Sequence, residues 1–492
     1  AVLKKEQVAV YSDYDCDGVC GAAILQKTLK ALGIAPKLYI PDRQTEGYGT
    51  NAAAFERLIE QGVSLILTVD CGIRSVSDVA LAKGRGVDCI IIDHHECGEL
   101  PDTPYLLNCK MPGERYPFHD LCGAGTAFKL AQALLGRRAE ELVDLCGVAT
   151  IGDMVGLLGE NRALAYLGLE KLRQAPCLGF RALAKAAGIR LAGVRSYGVA
   201  FGLVPRINAA GRMGAADTAL QLLRSKDHVE ALRLAQHLDA LNTQRREEEE
   251  RIWAAAREQA HRQLEQRQRP ALVLYGGDWH PGIVGIVASR IVEEFYRPTI
   301  ILCDDNNMMK GSGRSIREFD LYAGLQKTAH VLAGFGGHKL AAGVRLEPNQ
   351  LERFREAFER VVADELGEQP LTPALLLECE LDFQQASDSA FLQELELMQP
   401  FGAGNAEPVF ASPELTVVDR SPLGYSGDHV RLRLKDSASG ITLMAKGWNM
   451  ATAFPPSSVG SRIRVAYTPR LDYYRGVASI DVGIKDWQPV AD

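Results

Sequence analysis

Val8-Ala9-Val10-Tyr11-Ser12-Asp13-Tyr14-Asp15-Cys16-Asp17-Gly18 is an apolar run that stops in three alternating aspartates and a glycine. The run has the length and content of a buried strand, and Gly21–Leu32 behind it is helix-like. The same alternation recurs outward from this point. Strands are expected at Val8–Tyr11, Lys37–Ile40, Leu65–Val69 and Cys89–Ile92, with helices at Ala52–Gln61 and Ser75–Lys83 between them. This rhythm, sustained to about Ser225, predicts a parallel sheet covered by helices on both faces. In such sheets ligands gather at the carboxyl ends of the strands.

Acidic motifs fall at those ends. The first strand leads into Asp13, Asp15 and Asp17, Leu65–Val69 leads into Asp70-Cys71-Gly72, and Cys89–Ile92 leads into Asp93-His94-His95-Glu96. A fourth acidic site, Gly152-Asp153-Met154, follows the apolar stretch Leu142–Thr150. Buried carboxylates without partners are costly, so several converging at one sheet edge require cations. Oxygen ligands with one or two imidazoles suit Mn2+ or Mg2+ better than a thiolate-seeking metal. Two such ions about 3.5–4 Å apart can activate water and stabilise the leaving oxygen of a phosphodiester. One carboxylate should bridge them, and Asp70 on its central strand is the natural choice. Each motif alone has an ordinary reading: the aspartate triplet as a turn or calcium loop, Asp-His-His as a helix cap with two surface histidines. The helix-loop-helix frame and bidentate glutamate of an EF-hand are missing, however. Four motifs in this order, each at an element end, point to a metal centre.

From about Asp227 to Arg269 the sequence changes character. Gln244-Arg245-Arg246-Glu247-Glu248-Glu249-Glu250-Arg251 lies in a stretch almost free of glycine and proline until Pro270. It reads as a long polar helix bridging two domains, although part of it would equally suit the solvated face of a surface helix. A smaller α/β unit follows, with strands at Ala271–Tyr275 and Thr299–Leu302. It carries two glycine-rich segments read as loops, Gly311-Ser312-Gly313-Arg314-Ser315 and Gly336-Gly337-His338-Lys339. Backbone amides and arginine forks of this kind can cradle phosphate, though most glycine-rich loops are simply turns. After a helical stretch at Gln350–Leu366, short strands dominate from about Pro408: Leu415–Asp419, His429–Leu434, Thr442–Trp448, Arg462–Thr468 and Val477–Ile484. Five strands at this spacing predict a small antiparallel barrel such as an OB-fold. The expected domains are therefore residues 1–225, a connecting helix over 226–269, 270–348, a helical connection over 349–399, and 400–492. In the barrel Arg431, Arg433, Lys446, Arg462, Arg464, Arg470 and Arg475 interleave with Trp448, Tyr467, Tyr473 and Tyr474. Such interleaving suits a single-strand groove, while the counterbalancing acids also fit an ordinary soluble surface.

Composition sets the outer bounds. With 492 residues, 47% hydrophobic and 24% charged, the chain has the size of several domains and the makeup of a soluble globular enzyme. No apolar run is long enough to span a membrane. Eleven cysteines lie scattered without a CxxC pair, which predicts reduced thiols in a cytoplasmic protein and no zinc site. The net charge of −7 neither supports nor excludes DNA, because a metal-ion nuclease carries its own carboxylates and needs only a local basic groove. The chain reaches its first apolar run almost at once after Ala1, an abrupt start that leads us to expect an upstream segment.

The series Asp13-Tyr14-Asp15-Cys16-Asp17-Gly18, Val69-Asp70-Cys71-Gly72, Asp93-His94-His95 and Gly152-Asp153 resembles the motif set of DHH phosphoesterases. Pro205-Arg206-Ile207-Asn208-Ala209-Ala210-Gly211-Arg212-Met213 and Gln399-Pro400-Phe401-Gly402-Ala403-Gly404-Asn405 resemble the RecJ branch of that family. The resemblance runs from about Val8 to Gln488. It implies a parallel-sheet DHH domain, a long linker helix, a smaller α/β DHH-associated domain and a C-terminal OB-fold. It implies Asp15, Asp17, Asp70, His94 and Asp153 as ligands of two Mn2+ or Mg2+ ions, with Asp13 and His95 beside them in the catalytic group. His95 would orient a ligand or assist proton transfer. Many members carry a histidine where this chain has Tyr11, which leaves one ion's ligand count open.

The loop Pro41-Asp42-Arg43-Gln44-Thr45-Glu46-Gly47-Tyr48-Gly49 corresponds to one that meets nucleic acid in RecJ-like enzymes. By that resemblance Arg43, Ser312 and Arg314 hold a terminal 5′ phosphate. Tyr48 stacks on a base or blocks duplex, or else packs in a tight turn. Arg206, Asn208, Arg212, His280, Gly336, Gly337 and His338 complete the expected substrate contacts, His280 without an assigned role. The implied activity is 5′→3′ exonucleolytic hydrolysis of single-stranded DNA to mononucleotides, in recombination and repair. The implied partners are single-stranded DNA, a helicase and a single-strand-binding protein, with the enzyme itself a monomer. Two rivals remain: a DHH phosphoesterase for oligoribonucleotides, bisphosphonucleotides or cyclic dinucleotides, and a non-catalytic DHH-fold scaffold that only binds DNA.

Overall fold

The computed structural model describes residues 1–43, 45–47, 49–267, 269–367, 371–424, 427–474 and 477–490. Tyr48 and Arg475, named above, lie outside the described residues, as do the side chains of Tyr473 and Tyr474.

Strands β1 (Val8–Ser12), β2 (Lys37–Tyr39), β3 (Leu65–Val69), β4 (Asp88–Ile92) and β5 (Leu106–Leu107) form a wholly parallel sheet in the order β2-β1-β3-β4-β5. All five residues of β1 are buried, as expected of a strand covered on both faces. The chain leaves β1 for one side of the sheet and returns on the other as β3. This reversal of strand order opens a crevice beyond the strands' carboxyl ends. The helix Cys16–Ala31 starts there because the Asp15 carboxylate caps it, accepting from the amides of Asp17 and Gly18. It packs against the helices Gly123–Leu135 and Val143–Gly152.

A helix of 39 residues, His228–Gln266, spans about 58 Å. Its first half buries Ala231, Leu234 and Leu238 and packs on the helices Leu178–Ala186 and Val204–Arg212. Its second half buries Ile252, Ala256 and Ala260 against a second sheet. The polar sequence therefore conceals an apolar stripe with a partner at each end.

The second sheet contains β6 (Leu272–Tyr275), β7 (Thr299–Asp305), β8 (Met308–Arg314), β9 (Gly334–Gly337) and β10 (Ala341–Leu346), in the order β6-β7-β8-β10-β9. Strands β6 and β7 pair in parallel and the others antiparallel. Here the structure corrects the sequence reading: Gly311–Arg314 and Gly334–Gly337 are strands, not loops. The glycines of β8 are there for packing. A Cβ at Gly311 would lie 2.5 Å from Leu302 Cδ2, and one at Gly313 2.5 Å from Ile300 Cδ1. Small residues on the core-facing side let this strand lie flat on its apolar layer. The helix Leu351–Leu366 buries Phe354, Phe358 and Val362 in the same layer, so it packs with this sheet.

By internal packing the chain falls into two bodies. The first contains residues 1–153, 167–194 and 198–373, the second residues 154–166, 195–197 and 374–492. In the second body, β11 (Phe410–Ala411), β12 (Leu415–Leu423), β13 (His429–Asp436), β14 (Thr442–Gly447), β15 (Arg462–Tyr474) and β16 (Val477–Pro489) make one sheet. Pairing of β12 with β13, β13 with β14, β14 with β16, β16 with β15 and β15 with β12 closes a five-stranded barrel. Among these pairings β14–β16 is the parallel one, which is the OB connectivity. The barrel's lead-in is tied down by hydrogen bonds from Leu157 N to Ala403 O (2.7 Å) and from Arg162 Nη2 to Leu397 O (2.8 Å).

Candidate active site

Every acidic motif reaches the crevice between β1 and β3. Asp13 follows β1 and is 4% exposed, and Asp70 follows β3 and is 2% exposed. Asp17 is fixed by the start of the Gly123–Leu135 helix, its two carboxylate oxygens accepting from Gly123 N (2.6 Å) and Ala124 N (2.9 Å). Asp70 has φ +61°, a left-handed conformation unusual for a residue with a side chain and typical of functional sites. Gly123 makes room for it, since a Cβ there would stand 2.7 Å from Asp70 Cβ. His94 Nε2 lies 3.1 Å from Asp70 Oδ1 and 3.8 Å from both Asp17 Oδ2 and Asp153 Oδ2.

Three overlapping groups offer ligand atoms within 4.8 Å of one another: Asp17, His94 and Asp153; Asp13, Asp15 and Asp70; and Asp70, His94 and His95. Asp70 and His94 each occur in two of them. Burial, then repulsion from neighbouring carboxylates, holds the carboxyls of Asp13, Asp15 and Asp70 above the usual range and pushes Asp153 up to about 9. Asp13 Oδ1, Asp70 Oδ1 and His94 Nδ1 are buried without a hydrogen-bond partner. Unpaired, mutually repelling oxygen donors in a buried crevice are what a divalent cation would satisfy. Donors about 2.1 Å from one octahedral ion sit about 3 Å apart, close to the Asp70–His94 spacing. The residues fit a pair of hard divalent ions.

Asp93 organises the edge of this cluster. Its Oδ1 accepts from the amide of His94 (2.7 Å) and pairs with His95 Nδ1 (2.7 Å), while Oδ2 accepts from Ile73 N (2.9 Å). Burial alone would lower the pKa of His95. The hydrogen bond and charge of Asp93, with the charges of Asp13 and Asp17, outweigh that and raise it.

A cluster of opposite sign lies in the same body. The Arg43 guanidinium stands 5.1 Å from the Tyr14 ring centroid. Arg212 Nη1 donates to Gly282 O (2.8 Å), Gly282 N donates to His280 Nδ1 (3.0 Å), and Arg314 Nη1 donates to Ser312 Oγ (2.9 Å). Burial, followed by the charges of Arg43 and Arg245, lowers Arg212 to about 10. Burial and Arg43 lower Arg314, and they lower His280 against an opposing pull from Glu248. Arg43, Arg212 and Arg314 have no carboxylate ion pair among the described residues. Half-buried guanidiniums within electrostatic reach of Arg43 favour an anion.

The comparisons with known proteins follow this division of the chain. Residues 7–152 match the N-terminal domain of the DHH family, residues 268–364 the DHHA1 domain and residues 377–486 the RecJ OB domain. The single-stranded-DNA-specific exonuclease RecJ of Bacillus subtilis (strain 168) is 37% identical over 491 residues, 99% of this chain and 62% of its own length. The exonuclease of the same name from Haemophilus influenzae is 31% identical over 516 residues, 100% of this chain and 89% of its own. The chain belongs to the RecJ family. RecJ from Thermus thermophilus, solved in complex with Mn2+, matches with a TM-score of 0.83 and 31% identity over 100% of this chain and 70% of that one. The corresponding complex with Mg2+ gives 0.76.

Other residues expected to meet substrate stand elsewhere in the chain. Arg206 is bound to Asp239 Oδ1 (2.7 Å) and Gly202 O (2.6 Å) and braces the long helix. Asn208 Oδ1 accepts from Cys16 N (2.7 Å), which places it under the acidic loop. Gly336 lies on β9, in register with Gly343 of β10 and through it with Ser312 of β8. Gly337 pairs with Ala342, and His338 follows the strand with its amide on Ala341 O (2.8 Å). Tyr11, where the resemblance led us to expect a histidine, is fully buried and turned to the loop after β2. Its hydroxyl donates to Gly49 O (2.9 Å) and its ring stacks on Tyr39. Three contributors escaped the sequence reading. Asp93 was visible in its own motif, and Gly123 in the Cys122-Gly123-Ala124-Gly125 run. Arg245 was hidden within a charged helical stretch.

Proposed function

We propose that the chain hydrolyses single-stranded DNA from its 5′ end and releases mononucleotides, using two Mn2+ or Mg2+ ions at the edge of the parallel sheet. The observation that carries this reading is the pairing of two clusters in one body: cation-seeking carboxylates at Asp13, Asp15, Asp17, Asp70 and Asp153 with the His94 imidazole, and guanidiniums at Arg43, Arg212 and Arg314 that have no carboxylate ion pair among the described residues. Asp15, Asp17, Asp70, His94 and Asp153 would hold the ions, which when bound polarise water and neutralise charge on the scissile phosphodiester. Arg43, Ser312 and Arg314 would fix the terminal 5′ phosphate and so set polarity and register. His95, braced by Asp93, would orient a ligand or assist proton transfer to the departing 3′ oxygen. Asn208 would act by positioning the Asp15–Asp17 loop.

The barrel would take the following strand. Arg431, Arg433 and Lys435 alternate along the outward side of β13, all exposed, and Trp448 is 57% exposed beside His429. Cations with an aromatic platform suit a sequence-tolerant single strand. The enzyme would work as a monomer in the cytoplasm beside a helicase and a single-strand-binding protein, in recombination and repair. No described helix is long and apolar enough to cross a membrane.

The test is a 5′-phosphorylated, 3′-labelled single strand incubated with Mn2+, beside the same sequence as blunt duplex and as RNA. Progressive shortening from the 5′ end of the single-stranded DNA alone is expected. Cleavage confined to oligomers of two to five residues, regardless of sugar, would instead indicate a small-substrate phosphoesterase.

A further inference from the structure

The proposed 5′-phosphate anchor stands on the helix-bearing face of the second sheet, whose β7 residues Ile301 and Cys303 are buried, and that face continues past the anchor onto β10 and β9, where Gly343 and Gly336 are exposed. Side chains alternate along β8, so Lys310, Ser312 and Arg314 share one side, while Met309 faces the apolar core with Val344 and Leu346. Register extends this side across the sheet: Lys310 pairs with Arg345 of β10, Ser312 with Gly343 and Arg314 with Ala341. Arg314 is the member of the row that feels the charge of Arg43. Lys310 lies four residues back along β8, about 13 Å from Arg314 along the strand. Lys310 and Arg345 are both exposed, and neither forms an ion pair among the described residues. The strip between them and the anchor is open. A Cβ at Gly336 would meet no atom within 4 Å, and one at Gly343 only Gly311 O at 3.9 Å.

We propose that this strip is a 5′-polyphosphate subsite, in which Lys310 and Arg345 hold the outer phosphates of a strand ending in a di- or triphosphate while Ser312 and Arg314 hold the innermost one. The proposal rests on the 5′-phosphate reading above and extends it. A pocket closed behind Ser312 would admit a monophosphate only, whereas an open, cation-lined strip offers charge-assisted contacts to further phosphates. Water would add to phosphorus between the first and second nucleotides, and the 3′ oxygen of the first would leave with a proton. The first product is then an intact nucleoside 5′-triphosphate, and the remaining strand carries a 5′ monophosphate.

The experiment compares matched single-stranded DNAs bearing a 5′ triphosphate, monophosphate or hydroxyl, with first-turnover products separated by chromatography. For the unmodified enzyme the expected kcat/KM on the triphosphate is equal to or above that on the monophosphate, with deoxynucleoside triphosphate as the first product. In the Lys310→Ala/Arg345→Ala double variant the triphosphate-to-monophosphate ratio should fall about tenfold. A strongly disfavoured triphosphate in the unmodified enzyme, or a ratio unmoved by the double substitution, overturns the proposal. Arg314→Ala keeps the two readings separable. If it leaves the preference for 5′ phosphate over 5′ hydroxyl intact, the anchor itself is misplaced. If it abolishes that preference while the ratio stays fixed, only the subsite fails.

Discussion

The carboxyl edge of the parallel sheet and the phosphate-anchor face of the mixed sheet, as proposed above, carry charge in opposite ways. At the edge, Asp13, Asp70 and His94 follow the ends of three strands, Asp70 in a left-handed backbone, and the oxygens are buried. On the face, Lys310, Ser312 and Arg314 are alternate residues of one regular strand, half-buried to exposed. Negative groups packed this tightly need a cation or protons among them. Positive groups left on an accessible strand can wait for a phosphate that arrives with substrate. In the proposed function one region fixes reacting atoms and the other recognises an end.

The contrast breaks first at Asp70. Asp70→Ala should lower kcat on the order of 10³-fold or more, because it removes the one carboxylate shared by two ligand groups. A residual rate near that of the unmodified enzyme, measured in Mn2+ with fold checked by circular dichroism, would remove the edge from the chemistry. Asp93→Asn should cost about 10–100-fold, as expected for a residue that orients others, and should fall mainly on kcat. Arg314→Ala should also cost about 10–100-fold, but in kcat/KM and chiefly on 5′-phosphorylated strands. An equal loss on 5′-hydroxyl strands would merge the two roles that the comparison keeps apart.

Trp448→Ala should be milder, weakening the affinity for long single strands by about 1–3 kcal/mol and leaving the shortest substrates untouched; fluorescence anisotropy against strand length reads this. The smallest effect concerns stability. Asp153 is held at about 9 in the fold against an ordinary value near 3.8, so its contribution is present at low pH and is lost as pH rises toward 9. The melting temperature of metal-free protein should therefore fall from pH 6 to 9, and saturating Mn2+ should flatten the curve. A metal-independent profile would mean the carboxylates are satisfied some other way.

Much of the edge was legible in the sequence because strand ends announce themselves: an apolar run stops and acids follow, as at Val69-Asp70 and Ile92-Asp93. The five barrel strands were legible for the same reason, through their alternation. The face was harder to read. Gly311, Gly313, Gly334 and Gly336 mimic a loop, and only packing against Leu302 and Ile300 shows that a flat strand requires the first two. Arg206 and Asn208 were grouped with substrate along with Arg212, as members of one motif that resembles the RecJ branch. Their partners, Asp239 and the amide of Cys16, are distant in sequence and visible only once the chain is folded. The long helix read as bare linker because its apolar residues are spread thinly over 39 positions.

Mn2+ binding is the most direct measurement of whether the edge is a two-ion centre. Calorimetry with parallel electron paramagnetic resonance on the metal-free chain should give two ions per chain and a spin-coupled pair, and Asp70→Asn should abolish the coupling. A single ion per chain, or two uncoupled ions unaffected by Asp70→Asn, would contradict it.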